Sequence, residues 1–149
     1  MSDLHELYQQ VIIDHGRAPR NFGHLAEATS TQEGYNPLCG DRLIVYMQRT
    51  GEYVQAIRFE GSGCAISMAS ASLMTEVLQG KTVGEIEKLF QEVHTLLTTG
   101  TMTISDRTLG KLMVLAGVAQ YPMRVKCATL CWHTAMAALH HQKDCVSTE

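Results

Sequence analysis

Apolar and polar residues follow a helical period at the start of the chain. Over residues 3–14 the apolar side chains recur every three or four positions, and Asp3 and Glu6 have the spacing of a capping box. We therefore predict an amphipathic helix there. Residues 17–34 show no such period and contain glycine and proline, which indicates an irregular polar connection.

The next segments predict a hairpin and a tightly packed helix. Residues 42–49 and 53–60 are rich in β-branched and aromatic side chains, with Gly51 between them, and this pattern is typical of two strands joined by a turn. Residues 65–79 are dominated at first by alanine and serine. Because these side chains are small, we predict a helix that approaches a neighbouring element closely.

The second half of the chain is predicted to be helical. Thr82 and Glu85 have capping-box spacing at the start of the first of these helices, and Pro122 separates the last two. One helix, then a small antiparallel sheet, then a run of helices predicts an α+β fold. The helical patterns cover residues 82–97, 109–119 and 128–141.

Length and composition are those of one globular domain, which we place over residues 1–149. The formal net charge of -3 gives no electrostatic reason to expect a nucleic acid or an anionic membrane as partner. No apolar run has the length of a membrane span, and the start lacks the layout of a signal peptide, so we expect a cytoplasmic protein. In that reducing compartment, five cysteines favour metal binding or catalysis over disulfides.

Three of the cysteines lie in loop or predicted helix-start contexts. Cys39 lies in a proline- and glycine-marked loop, Cys64 follows a glycine at a predicted helix start, and Cys127 follows two cations just before a predicted helix. We expect the helix dipole, and at Cys127 the cations, to favour the thiolates of the last two. Asp41 adds a carboxylate near the first thiol. Three sulfurs and one oxygen form a complete donor set for tetrahedral zinc or a partial one for an iron–sulfur cluster.

Each of these residues also has a simpler interpretation. A free cysteine is usually a small buried hydrophobic side chain, and an aspartate after a glycine is usually a turn residue. No C-x-x-C pair is present, so the fold would have to bring the ligands together from distant segments. Cys131 is a further candidate ligand or resolving thiol, or a packing residue, while Cys145 and the histidines are predicted to have no role as ligands.

Four ordered motifs carry a resemblance to a known family that covers nearly the whole chain. In these motifs the chain resembles the IscU-like iron–sulfur cluster assembly proteins. The resemblance implies a small antiparallel three-stranded sheet packed against several helices. The motifs are Asp14-His15 with Pro19-Arg20-Asn21-Phe22-Gly23, Asn36-Pro37-Leu38-Cys39-Gly40-Asp41, Gly61-Ser62-Gly63-Cys64-Ala65-Ile66-Ser67, and Lys126-Cys127-Ala128-Thr129-Leu130.

Within that family the chain is most similar to the SufU type. Lys126 stands where IscU-type proteins carry a histidine, and the segment 121–126 differs from the Leu-Pro-Pro-Val-Lys motif that a dedicated chaperone reads. The stretch between Gly80 and Cys127 is also longer than in IscU-type proteins, as the SufU insertion would make it. Cys131 departs from the SufU pattern, which has a small residue there, so the identity of the fourth ligand stays open.

The resemblance also implies a zinc site, a partner and a chemistry. Its ligands would be Cys39, Asp41, Cys64 and Cys127, and the partner would be a SufS-type, pyridoxal-phosphate-dependent cysteine desulfurase. Cys39 would accept a persulfide sulfur once the partner displaces it from zinc. Arg124 and Lys126 would steady the thiolates or contact the desulfurase, or they are solvated surface cations.

Three functions follow as alternatives. The first is zinc-dependent sulfur transfer, which leaves open whether the protein is an enzyme in its own right. The second is a scaffold that assembles a [2Fe–2S] cluster on the same ligands for delivery to apo iron–sulfur proteins or downstream assembly factors. The third is a structural zinc-binding module that only docks partners.

Overall fold

A computed structural model describes residues 2–100, 107–140 and 146–147. In the described residues, four α-helices and one long 3-10 helix accompany a sheet of four strands. The elements in chain order are α1 (Ser2–Arg17), β1 (Ser30–Asn36), β2 (Asp41–Thr50), β3 (Tyr53–Ser62), α2 (Ala65–Leu78), α3 (Val83–Thr99), the 3-10 helix (Arg107–Gln120), α4 (Pro122–Leu139) and β4 (Val146–Ser147).

The sheet has the strand order β3-β2-β1-β4. Strands β1, β2 and β3 are antiparallel neighbours, which confirms the predicted three-stranded sheet. The short β4 adds a parallel pair to β1, where Gly34 faces Val146 and Tyr35 faces Ser147. No helix among the described residues has the length and apolar character needed to cross a membrane.

Strand β1 corrects the prediction that residues 17–34 form only an irregular connection. It begins at Ser30, inside that segment. Alternate residues of β1 are buried, but these are Gln32, Gly34 and Asn36, which are polar or lack a side chain. The strand therefore has the period of a half-buried strand without its usual hydrophobic signal.

Two helix starts also differ from prediction. Helix α1 begins at Ser2, so Asp3 lies within its first turn rather than at its cap. Helix α4 begins at Pro122 and not at Ala128, because a proline fits the first position of a helix, where its missing N–H costs no hydrogen bond. The segment predicted as helix 109–119 lies within the 3-10 helix. The predicted capping box of Thr82 and Glu85 is confirmed. Residue 141, the predicted end of the last helix, lies outside the described residues.

Helix α2 packs closely against its neighbours, as its small residues predict. Ser70 Oγ donates a hydrogen bond to the carbonyl of Ala128 in α4 at 2.7 Å, and a side chain added at Gly16 in α1 would contact Ala65. The main core lies between the sheet and the helices. Its largest fully buried side chains are Phe59, Leu43, Met47, Ile57, Leu73, Met74, Leu78, Ile86, Leu96, Leu97, Leu112 and Leu115.

Candidate metal centre

Three segments that are distant in sequence meet at one end of the sheet. They are the turn between β1 and β2, the start of α2 and the early part of α4. The ligand atoms of Cys39, Asp41 and Cys127 all lie within 4.8 Å of one another. Cys64 Sγ lies 4.0 Å from Asp41 Oδ2 on the side of α2. The fold thus brings the four predicted ligands together.

Cys39 lies on the tight turn that joins β1 to β2. Asn36 and Asp41 are paired across the base of this turn, and Gly40 has a positive φ of 72°, which a glycine adopts without strain. The Cys39 side chain is exposed, and its Sγ lies 3.1 Å from Cys127 Sγ. This thiol is therefore open to solvent while its neighbour is not.

Asp41 is a fully buried carboxylate, with a relative exposure of 0%. Its Oδ1 accepts a hydrogen bond from the backbone N–H of Cys64 at 2.8 Å, which ties the turn to the start of α2. Gly63 allows this contact, because a Cβ added there would lie 2.5 Å from Oδ1. The other oxygen, Oδ2, faces the thiol of Cys64 and the side-chain amide of Asn36.

Cys64 is the N-cap of α2, which confirms the prediction that it lies at a helix start. Its Sγ accepts a hydrogen bond from the backbone N–H of Ser67 at 3.4 Å. The sulfur therefore lies at the positive end of the helix dipole. The side chain is exposed, like that of Cys39.

Cys127 corrects the expectation that this thiol precedes a helix. It lies inside α4, five residues after Pro122, and is only 3% exposed. Burial raises the pKa of the Cys127 thiol, and the neighbouring side chains of Cys39, Asp41 and Cys64 raise it further. The expected stabilisation of its thiolate by a helix start is therefore wrong. A divalent cation among these groups would act in the opposite direction.

Cys131 points away from the centre and into the core. It is 0% exposed, and its Sγ contacts Ser70 Oγ at 3.4 Å. Burial raises the pKa of this thiol to about 12. Although it lies four residues after Cys127, it is not part of the group of ligand atoms found among the described residues. Cys145 lies outside the described residues.

The two predicted supporting cations occupy different positions. Arg124 is exposed and stacks on the ring of Tyr121, with 4.3 Å from its guanidinium carbon to the ring centroid. Lys126 is half-buried beside Cys127 in α4. Arg124 lines the same cavity as the thiols of Cys39, Cys64 and Cys127.

An open cavity of about 750 Å³ lies over the cysteines. Cys39, Cys64 and Cys127 line it together with apolar residues of α1, the 3-10 helix and the start of α4. Several of the large side chains around it are exposed. They are Ile13 at 41%, Tyr121 at 48% and Met123 at 46%.

Sequence reasoning gave no role to Asn36, although it lies within the centre. Its side chain is fully buried, and Nδ2 lies 3.5 Å from Asp41 Oδ2 and 3.6 Å from Cys127 Sγ. An asparagine before Pro37 is a common turn residue, and this ordinary interpretation hides a contact that only the fold creates.

The donor set suits zinc in chemistry and nearly in geometry. Tetrahedral zinc with Zn–S bonds of about 2.3 Å places two ligand sulfurs about 3.8 Å apart. Since the Cys39 and Cys127 sulfurs lie 3.1 Å apart, they would have to separate by about 0.7 Å. The exposed turn that carries Cys39 allows a rotamer change of that size. The residues therefore fit the ion.

Comparison with known proteins agrees with this architecture. The chain is 40% identical over 131 residues to the zinc-dependent sulfurtransferase SufU of Bacillus subtilis (strain 168), covering 88% of each chain. It is 34% identical over 139 residues to the iron–sulfur cluster assembly scaffold protein IscU of Streptococcus pyogenes serotype M1, covering 93% of this chain and 86% of that one.

A solved structure and a family match extend the comparison. The structure is that of a candidate iron–sulfur cluster assembly scaffold protein for the SUF system from Fervidobacterium islandicum AW-1. It superposes with a TM-score of 0.81 at 33% identity and covers 91% of this chain and 98% of its own. The family described as NifU-like N-terminal domain matches residues 7–128. The chain therefore belongs to the family of NifU-like N-terminal domains.

Proposed function

We propose that this protein takes part in iron–sulfur cluster assembly by accepting persulfide sulfur on Cys39 and passing it on. The donor is a pyridoxal-phosphate-dependent cysteine desulfurase of the SufS type, and the final acceptors are apo iron–sulfur proteins or assembly factors. The observation that carries the proposal is the exposed thiol of Cys39 at a cavity that the buried Cys127 also lines, with the buried carboxylate of Asp41 within 4.8 Å of both sulfurs. The relative named as a zinc-dependent sulfurtransferase supports the same chemistry.

The transfer step is thiol exchange at sulfur. The Cys39 thiolate attacks the outer sulfur of the desulfurase persulfide, and an S–S bond to Cys39 forms. The bond between the outer and inner sulfurs of the desulfurase breaks, and its cysteine leaves as a thiolate. Electrons balance without an added oxidant or reductant.

Four residues of this chain would hold a zinc ion: Cys39, Asp41, Cys64 and Cys127. Zinc bound there would keep the thiols deprotonated and protect them from oxidation. Asp41 is a harder ligand than sulfur, and its Oδ1 is engaged by the backbone N–H of Cys64, which leaves Oδ2 for the metal. Arg124 and Lys126 are proposed to support the anionic site or contact the desulfurase.

The rim of the cavity supports docking of a protein donor. Ile13, Tyr121 and Met123 are large apolar side chains that line the cavity with the thiols and are each more than 40% exposed. A group of this kind is typical of a surface that a partner covers. A desulfurase seated there would bring its persulfide to Cys39 and exclude water from the exchange.

The experiment begins with protein purified without oxygen. Zinc without labile sulfide or colour supports sulfur transfer, while iron and labile sulfide in equal amounts, with a brown chromophore, would favour the scaffold alternative. The protein is then incubated with desulfurase and cysteine, and its peptides are analysed for the mass of one added sulfur atom. We expect that sulfur on Cys39.

A matched pair of variants tests the acceptor. Cys39→Ala should abolish the stimulation of desulfurase turnover, whereas Cys131→Ala should retain it because Cys131 lies in the core away from the cavity. Full stimulation by Cys39→Ala would refute the proposal. If removing the metal with a chelator unfolds the protein in far-UV circular dichroism, the structural-module alternative gains support instead.

A further inference from the structure

Asn36 is a buried polar residue that the proposed transfer chemistry does not use. It ends β1, pairs with Asp41 across the base of the turn and has a relative exposure of 0%. A buried amide needs partners for its polar atoms, since an unsatisfied one is costly. The identity of those partners indicates what the residue does.

The orientation of the Asn36 amide is fixed by the turn. The backbone N–H of Leu38 lies 3.2 Å from Oδ1, and an N–H can only donate, so the oxygen must face it. The amide nitrogen therefore faces the other way. Nδ2 lies 3.6 Å from Cys127 Sγ, within hydrogen-bonding reach of the larger sulfur atom, and 3.5 Å from Asp41 Oδ2, at the outer limit for an oxygen acceptor.

The three thiols of the centre consequently differ in their N–H donors. Cys127 Sγ accepts from the Asn36 amide, and Cys64 Sγ accepts from the backbone of Ser67. In the described part of the chain, Cys39 Sγ has no N–H donor; its polar contact is with Cys127 Sγ. A hydrogen bond donated to a thiolate fixes the orientation of that ligand, and losing such a contact usually weakens metal binding. It also makes the thiolate a weaker nucleophile.

We propose that Asn36 is a positioning residue that selects Cys39 as the reactive thiol, because its amide holds the competing Cys127 sulfur in place. This inference rests on the proposed zinc site and sulfur transfer. One asparagine therefore makes both sets of contacts. Its Oδ1 accepts the Leu38 N–H in the turn that carries Cys39, and its Nδ2 faces Cys127 Sγ and Asp41 Oδ2.

The test compares Asn36→Asp with the natural protein. Aspartate keeps the oxygen that receives the Leu38 N–H and has nearly the same size, but it replaces the amide donor with a second oxygen and adds a negative charge beside Asp41 and Cys127. Both proteins are reconstituted with zinc and treated with limiting iodoacetamide, and the order in which the cysteines are alkylated is read by mass spectrometry. The rate of zinc release to a chelating dye is measured in parallel.

In the natural protein we expect Cys39 to be alkylated first. In Asn36→Asp, alkylation of Cys127 relative to Cys39 should rise about tenfold or more. Zinc release should accelerate by about 10- to 100-fold, since losing an outer-shell partner of a metal ligand typically costs about that factor in metal affinity. An unchanged alkylation order and release rate in Asn36→Asp would overturn the proposal, because the asparagine would then serve the turn alone.

Two controls separate this outcome from unfolding and from failure of the function. Cys131 is buried in the core, so its alkylation reports loss of the fold. If Asn36→Asp labels Cys131, Asn36→Ser replaces it, since a serine can still close the turn but does not reach Cys127, and the same criteria decide. Neither readout needs the desulfurase. If the natural protein accepts no sulfur, the proposed function is refuted, while the alkylation order and the rate of zinc release still decide the role of Asn36.

Discussion

Replacing Gly63 with alanine should displace the buried carboxylate of Asp41. The added Cβ would lie 2.5 Å from Asp41 Oδ1, which is too close for a real contact, and 3.1 Å from its Cγ, which is unusually tight. Gly63 is absent from the glycines with positive φ, so its backbone accepts alanine without strain. The substitution therefore acts through the carboxylate and not through the chain conformation.

The magnitude follows from what Asp41 must give up. Its Oδ1 accepts the Cys64 N–H at 2.8 Å in a site with no exposure to solvent. Losing a hydrogen bond to a charged group costs about 1.5–3 kcal/mol, and overpacking a buried site costs about 1–3 kcal/mol. Since relaxation relieves part of each, we expect a loss of about 2–4 kcal/mol, or about 5–12 °C in melting temperature for a protein of this size.

The assay is thermal and urea unfolding of Gly63→Ala beside the control Gly84→Ala. A Cβ added at Gly84, in the first turn of α3, meets nothing within 4 Å, so that variant should be as stable as the natural protein or up to about 1 kcal/mol more stable. Equal stability of the two variants would refute the argument that Asp41 is held against the Gly63 backbone.

Two further predictions concern residues outside the centre. Ser70→Ala should cost about 1–3 kcal/mol in urea unfolding and alter the fluorescence of Trp132, because the Ala128 carbonyl and the Trp132 indole N–H lose their shared partner; unchanged stability and emission would contradict this. Burial lowers the pKa of His133, and the nearby His94 lowers it further. The unfolded chain therefore binds a proton at His133 more readily than the folded protein does. Stability should therefore fall as the pH drops from 7 through the ordinary histidine pKa of about 6.5, and His133→Gln should flatten that dependence; an equal slope in the variant would refute it.

Features that depend on a few neighbouring residues could be predicted from the sequence. Cys64 after a glycine does cap α2, and Thr82 with Glu85 does form a capping box. The predicted strands 42–49 and 53–60 lie within β2 and β3. In each case the signal is local, since a cap or a half-buried strand is set by residues a few positions apart.

Features that depend on contacts between distant segments were not predictable in the same way. The buried residues of strand β1 are Gln32, Gly34 and Asn36, so the alternation of hydrophobic and polar side chains that predicts a strand is missing. A side chain added at Gly34 would collide with Thr134 of α4, which shows that close packing and not hydrophobicity fixes this strand. Pro122 gives an ambiguous signal, since proline both ends and begins helices, and the start of α4 was misplaced for that reason.

Exposure alone does not explain which thiol of the centre should react. Cys39 and Cys64 are both exposed, so solvent access separates them only from Cys127. Cys64 differs from Cys39 because it caps α2 and receives the Ser67 N–H, and a thiolate stabilised in this way is a weaker nucleophile. Burial and the Asn36 amide restrain Cys127 by other means. Cys39 thus differs from the other two thiols because it is exposed and, among the described residues, receives no N–H hydrogen bond. The motif around Cys39 does not encode this difference by itself.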